Sequence, residues 1–379
     1  MAIATFASQA MVRALDTLLP QIAADVGTTV GQASIVVTAY AITHGTVQLI
    51  IGPIGDRLGK YRVVATACAL SAVVVGLCGL AQSLPALAIA RLASGATAAS
   101  IIPLGLAFVA DVVPYERRQQ VLGQFLSGQI IGQMFGQAAA GILGDYFGWR
   151  SVFFFLAGVF ALAAVALFSE LAVNPITRTD TRAADKSRSI FADYGLLFAN
   201  RWARFVLLIV LFEGMLVFGI FTYVGADLHA RFGLSFTAIG LTVGAFGIGG
   251  VAYALAVRRL MVLLGQSGIA KGGALVMGVA FLVLAFEPRW WFAPFAVSAI
   301  GFGFYMLHNT LQTVGSQMAP EVRGTAVAIF ASVYYLGQTI AVTAAAPVVD
   351  RFGAQPLFVI SALLLPPLAW WFARGLKRR

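Results

Sequence analysis

Six ionisable side chains stand deep within long apolar runs: Arg13, Asp16, His44, Arg91, Glu213 and His308. A charge in hydrocarbon costs about 3 kcal/mol or more unless it is paired or hydrated. Residues of this kind therefore mark ion pairs, proton relays or polar pathways. Asp16 and Arg91 lie at depths that agree within a helical turn, about ten and about eight residues in from the same side of their runs, at ~1.5 Å per residue. Glu213 sits midway along its run with no ionisable neighbour in sequence, where a carboxyl suits taking up and releasing a proton. His308 reads as a relay or a ligand contact. The plainer alternatives stay open: a static ion pair for Asp16 and Arg91, and hydrogen-bonded packing roles for Glu213, His308 and His44.

The elements that carry these residues are apolar helices. The chain has 379 residues, 60% hydrophobic and 11% charged, whereas soluble domains are about a quarter charged. A soluble protein of this composition would expose large apolar patches; a bilayer removes that problem. Apolar runs fall at 2–24, 33–52, 62–81, 84–110, 121–143, 150–171, 203–227, 236–257, 269–286, 290–316, 323–346 and 354–373. Each is long enough to cross hydrocarbon as a helix, which takes ~20 residues, and none alternates as a barrel strand does. The first run is a retained span and not a signal peptide, because it lacks a basic leading region and Arg13 and Asp16 interrupt it. The polar tail that usually precedes such a span is missing, as in a trimmed chain.

The net charge of +10 does not point to nucleic acid, since the bases sit between apolar runs with no aromatic-interleaved cluster. With both ends on one side, the loops on that side hold 19 of the 25 Lys and Arg residues and the opposite loops hold four. That asymmetry predicts cytoplasmic termini in an inner membrane. Cys68 and Cys78 are ten residues apart in one run, ~15 Å along a helix, too far for a disulfide. Neither a phosphate-binding glycine loop for ATP nor any other cofactor signature occurs. A membrane-embedded enzyme would need acids, histidines or cysteines clustered at a membrane boundary, and here they are scattered.

The chain repeats itself. Pro114-Tyr-Glu-Arg117 answers Pro320-Glu-Val-Arg323 at an offset of 206. Gly144-Asp145-Tyr-Phe-Gly148 answers Val349-Asp350-Arg-Phe-Gly353, and Ile131-Gly-Gln133 answers Leu336-Gly-Gln338, both at 205. The polar stretch between the copies carries Arg178, Asp180, Arg182, Asp185, Lys186 and Arg188. The expected organisation is an all-α polytopic membrane protein of twelve helices: one six-helix bundle over 1–172, a linker over 173–200, and a second bundle over 201–379, related by a pseudo-twofold axis.

The loop Gly52-Pro-Ile-Gly55-Asp56-Arg57-Leu-Gly59-Lys60-Tyr61-Arg62 joins the second and third runs. It resembles the G-x-x-x-D-R-x-G-[RK] signature of the major facilitator superfamily, at the position that signature occupies there. Arg91-Leu-Ala-Ser-Gly95 resembles the helix-four R-x-x-x-G pattern, and Asp16 with Pro20 the D-x-x-x-P arrangement of helix one. Asp111-Val-Val-Pro-Tyr-Glu-Arg-Arg118 resembles the drug:proton antiporter branch. The antiporter motif of helix five is degraded, with Gln133 and Gln137 where proline and glycine are expected. The second-half copy of the loop signature, around Arg258 and Arg259, is barely recognisable.

The resemblance implies a proton-coupled secondary transporter working by alternating access, which exports a small organic or drug-like compound. Uptake or facilitated diffusion of a sugar or metabolite is the alternative. Its partners would be that substrate, protons and the lipid bilayer, with the chain a monomer. It further implies that helices one, four, seven and ten surround a central cavity, so that Asp16 and Arg91 face each other, with Arg13, Glu213 and His308 nearby. Asp56, Arg57 and Asp111 would form a charge cluster, within a conformational-switch loop that includes Gly52, Gly55, Gly59 and Lys60. Gly128, Gly132 and Gly136 recur every four residues and suit close helix packing.

Overall fold

A chain this apolar must satisfy its backbone polar groups within each segment, so it crosses lipid as helices. The computed structural model describes residues 1–178 and 190–377, with no side-chain placement at 115, 116, 118–120, 122–124, 126, 127, 178, 190 and 191. The linker charges Asp180, Arg182, Asp185, Lys186 and Arg188 lie outside the described residues, as do Arg378 and Arg379. Among the described residues every regular element is helical.

Nine of these helices are long and apolar enough to span a membrane. One of them, Phe236–Phe286, is broken by Gly265 (φ 62°) and is two spans, α8 (236–264) and α9 (266–286). The first span falls short because it is interrupted: α1 runs Ala2–Arg13, passes through a 3-10 turn at Ala14–Thr17, and resumes over Leu19–Asp25. The fifth, α5 (Tyr115–Phe147), is long but carries six glutamines. With α2 (Val30–Leu58), α3 (Lys60–Leu80), α4 (Leu84–Val112), α6 (Trp149–Val173), α7 (Arg201–Phe232), α10 (Trp290–Gly315), α11 (Pro320–Phe352) and α12 (Gln355–Lys377) the spans number twelve. Several helices run past the apolar run that announces them. Val30–Leu58 starts ahead of 33, because Thr29 caps it by accepting from the Gln32 amide.

The internal repeat is written in the backbone. Among the described residues the six with positive φ are all glycines, and they pair off: Gly27 with Gly233, Gly59 with Gly265, Gly148 with Gly353. The partners stand 206, 206 and 205 residues apart, and each marks a sharp reversal that a side chain would strain. Helix packing repeats too. In the first half α1 packs on α5, α2 on α4 and α3 on α6; in the second, α7 packs on α11, α8 on α10 and α9 on α12. Buried apolar residues gather into two large clusters, one from Ala4 to Leu167 and one from Leu197 to Phe372. Between them a short helix, Ile190–Ala199, buries Leu197, and its Tyr194 hydroxyl donates to the Leu49 carbonyl of α2 at 2.8 Å.

The halves meet along α2–α11 and α5–α8. Both chain ends lie at one face of the bundle, the terminus-bearing face; the other is the far face. Towards the far face the seam is tight. A Cβ on Gly31 of α2 would lie 2.4 Å from the Ala346 carbonyl oxygen of α11, and one on Gly141 of α5 would lie 2.2 Å from that of Phe236. Midway, Gly45 still faces Tyr335 at 2.8 Å. Towards the terminus-bearing face, neither Gly52 of α2 nor Gly324 of α11 has any atom within 4 Å of its would-be Cβ. The halves are zipped at the far face.

Candidate functional site

The break in α1 positions its charges. A 3-10 turn eclipses residues three apart, which brings Asp16 under Arg13: Arg13 Nη1 donates to Asp16 Oδ2 at 3.0 Å. Arg13 also reaches into the second half. Its Nη2 lies 3.4 Å from Gln338 Oε1 of α11, and its guanidinium carbon stands 3.6 Å from the centre of the Phe218 ring of α7. Both members of the pair are buried, Arg13 to 3% and Asp16 to 1% exposure.

Asp16 and Arg91, expected to face each other, do lie within electrostatic reach, but the hydrogen-bonded cation of Asp16 is Arg13. Arg91 Nε instead donates to the Val36 carbonyl at 3.0 Å, and its guanidinium lies over the Tyr40 ring at 4.3 Å. Depth along separate helices aligned the two residues correctly, but a cation on the same turn holds the carboxylate. Nearby, His44 stacks on Tyr40 and meets the edge of Tyr335, so it too touches both halves.

The second half holds its acid differently. Glu213 ends the regular part of α7; a π-helical turn, Met215–Gly219, follows at once. Extra backbone width there is accommodated by glycines: Gly214 and Gly219 lie against Tyr334 and Ala341 of α11. Glu213 is fully buried, and His308 Nδ1 of α10 lies 3.0 Å from its Oε2. The imidazole stacks on Phe304 (4.7 Å) and is flanked by Tyr334 (4.9 Å) and Phe330 (5.7 Å). Phe304 and Tyr334 both contact Phe218, the ring beneath Arg13. A continuous line of side chains thus runs from His308 through the aromatics to Arg13 and Asp16. Phe218, Phe221, Tyr223 and Phe304 are buried packing residues here.

Alignment places this geometry among known proteins. Residues 1–342 match the family model of the Major Facilitator Superfamily. The chain belongs to that superfamily. It is 28% identical over 336 residues to the MFS-type transporter YceJ of Bacillus subtilis, covering 86% of this chain and 85% of that one. It is 26% identical over 341 residues to a probable sugar efflux transporter of Helicobacter pylori, covering 89% and 84%. Among solved structures it superposes on the nucleoside transporter NupG with a TM-score of 0.77, at 14% identity and over 100% and 98% of the two chains.

A superfamily member of this architecture is a multi-pass membrane transporter, not an enzyme, and it handles a small-molecule substrate from within the bilayer. Among the described residues no three His, Cys, Asp or Glu side chains gather as a metal ion requires. The loop signature departs from expectation in its cation. Lys60 Nζ bridges Asp111 at 2.6 Å and Asp56 at 3.3 Å, while Arg57 is exposed. Asp56 and Lys60 are four residues apart across the Gly59 turn (φ 87°), a spacing legible beforehand. Gly52 and Gly55 lie on α2 above this loop, and Gly55 faces Leu104 of α4.

The glycine stripe lies against α1: Gly128 by Ala2 and Thr5, Gly132 by Phe6, Gly136 by Ala10. Sequence reasoning missed Gln338, Tyr334 and Phe330 of α11. The one signal was Gln338 itself, which stands in the Leu336-Gly-Gln338 repeat.

Proposed function

We propose that this transporter exports a small organic, amphipathic compound across a bacterial inner membrane in exchange for protons. In this reading the terminus-bearing face is cytoplasmic, the chain works as a monomer, and residues 1–172 rock against 201–379 about the midplane. The observation that carries the coupling is the Glu213–His308 pair. It is a buried carboxylate held by a titratable partner at a helix break, and broken spans are where transporters place their sites. Protonating either member weakens or reshapes the pair, and so shifts the balance between access states. Export is supported by the efflux activity named for the Helicobacter pylori relative and by the D-x-x-x-P of α1. The basic loops support the orientation, and the Asp56–Lys60–Asp111 cluster favours one access state.

The test is a substrate screen by thermal shift at two pH values, on wild type and Glu213→Gln, followed by counterflow of each hit in vesicles carrying a pH gradient. Expected are ligands whose stabilisation of wild type depends on pH, and whose pH dependence Glu213→Gln removes. A ligand that stabilises both proteins equally, with no pH effect, rules out Glu213 as the coupling group.

A further inference from the structure

Two carboxylates outside the midplane site cross from one half to the other. Asp145, near the end of α5, accepts from the Phe236 amide at 2.9 Å and the Thr237 amide at 2.6 Å, at the start of α8. Asp350, near the end of α11, accepts from the Gly31 amide at 2.8 Å and the Thr29 hydroxyl at 2.7 Å, at the start of α2. Asp145 and Asp350 are 205 residues apart, and so are Gly31 and Phe236. The two contacts are therefore one contact, made twice about the pseudo-twofold axis. Both lie at the far face, where the seam is tight.

The first amides of a helix have no partner of their own and carry the positive end of its dipole. A carboxylate seated there satisfies them and meets an opposite partial charge. Here the helix belongs to one half and the carboxylate to the other, so separating the halves at the far face must strip both. Each helix already has its ordinary cap: Thr29 accepts from Gln32, and Ser235 from Ala238. The aspartates add a second acceptor that local folding of α2 or α8 does not require. The far-face aspartate Asp25 behaves otherwise. Asp25 accepts from Trp149 Nε1 at 3.1 Å and pairs with Arg150, all within the first half.

We infer that Asp145 and Asp350 form a twofold latch that closes the far face, setting the balance between the two access states. They act as positioning residues for transport and not as substrate contacts. The inference rests on the rocking motion proposed above. Both carboxylates are partly exposed, and a charge at an exposed helix start is worth about twofold to fivefold in the closed-to-open ratio.

The test is a distance measurement by pulsed electron paramagnetic resonance on full-length protein in lipid nanodiscs. Spin labels go on Gln82→Cys and Arg289→Cys, at far-face loops of opposite halves, in a Cys68→Ala, Cys78→Ala background. Asp145→Ala and Asp350→Ala should each move population from the short to the long distance by about twofold to fivefold, and the double variant should move it further. Asp25→Ala should leave the distribution as it is. If the double variant fails to fold, the single Asp145→Asn and Asp350→Asn variants carry the same expectation at smaller size. Unchanged distances in the variants, or an equal response to Asp25→Ala, would overturn the latch. If wild type shows two populations when pH is varied and the variants do not shift them, the latch alone fails. If no variant and no pH yields a second population, the rocking motion fails with it.

Discussion

The two halves bury one carboxylate each beside a break in their first helix, but they give it different partners. In the first half Asp16 lies under Arg13, which keeps its charge at any physiological pH. In the second half Glu213 meets His308, an imidazole that is charged only when protonated. The repeated fold thus supplies the same framework twice and loads it once with a fixed pair and once with a switchable one. The first pair also ties the halves together through Gln338 and Phe218, whereas the second is contained within its own half and walled by aromatics. A permanent ion pair suits structure; a titratable one suits coupling.

The sharpest way to break that contrast is to remove each partner. Arg13→Ala takes from buried Asp16 its hydrogen-bonded cation, a loss of about 3–5 kcal/mol, and frees Gln338 as well. His308→Ala removes a partner that ties no element of one half to the other, so it should cost less. Chemical denaturation in detergent should show Arg13→Ala far less stable than His308→Ala, with Asp16→Asn partly rescuing Arg13→Ala. Equal losses would show that the two pairs do the same job.

The next test gives the second half the chemistry of the first. His308→Arg keeps a cation beside Glu213 but fixes its charge. Transport driven by a pH gradient should fall by about tenfold or more, while substrate binding measured by thermal shift persists and loses its pH dependence. A variant that couples as wild type does would make the histidine a packing residue.

A third comparison probes what the halves share. Gly132 of α5 abuts Phe6 of α1, and Gly337 of α11 abuts Leu211 of α7; in both cases a Cβ would fall within 2.5 Å of the facing carbonyl oxygen. Gly132 and Gly337 are 205 residues apart, as are Phe6 and Leu211. Gly132→Leu and Gly337→Leu should each destabilise by about 1–3 kcal/mol through overpacking, read as a lowered Tm. Markedly unequal losses would show that one half tolerates separation of its first and fifth helices.

The shared framework is what the sequence states most openly. Spans show as apolar runs, and the repeat shows in Asp145 and Asp350, in Gln133 and Gln338, and in the glycines that turn the chain. The pairings were harder to read, for physical reasons. Matching Asp16 to Arg91 by depth assumed an unbroken α1. The 3-10 turn at Ala14–Thr17 carries Asp16 onto Arg13, and no local pattern announces that turn. Glu213 and His308 are 95 residues apart, so only the packing of α7 on α10 could join them. The cation of the cluster between α2 and α3 was legible as the i,i+4 spacing of Asp56 and Lys60, but the loop signature points to Arg57 instead. Gly144-Asp145-Tyr-Phe-Gly148 was visible as a repeat, yet its reach into the opposite half depends on the seam, which sequence does not describe.

The smallest expected effect comes from the far face, where the halves differ again. In the first half Asp25 has Arg150 to itself; hydrogen bonds from Arg150 and then Trp149 hold its carboxyl below the ordinary range. In the second half one cation serves two acids: Arg231 lies 2.7 Å from Asp227 and 3.2 Å from Glu287. Burial pushes the Glu287 carboxyl up to about 7, Arg231 opposing the rise and Asp227 adding to it. An acid raised in the folded state binds its proton more tightly there than in the unfolded chain, so folding is favoured while that proton stays on. That contribution is complete below the ordinary carboxylate range and is lost as pH climbs through about 7. Asp25 has the opposite sign: its contribution is present at neutral pH and is lost only as acid protonates it. Between pH 5 and 8 the Tm of wild type should therefore drift down, and Glu287→Gln, which stays neutral throughout, should flatten the drift. Asp25→Asn should lower Tm slightly and leave the slope over that window unchanged. A slope that survives Glu287→Gln would move the titrating group elsewhere, and the Glu213–His308 pair would be the next place to look.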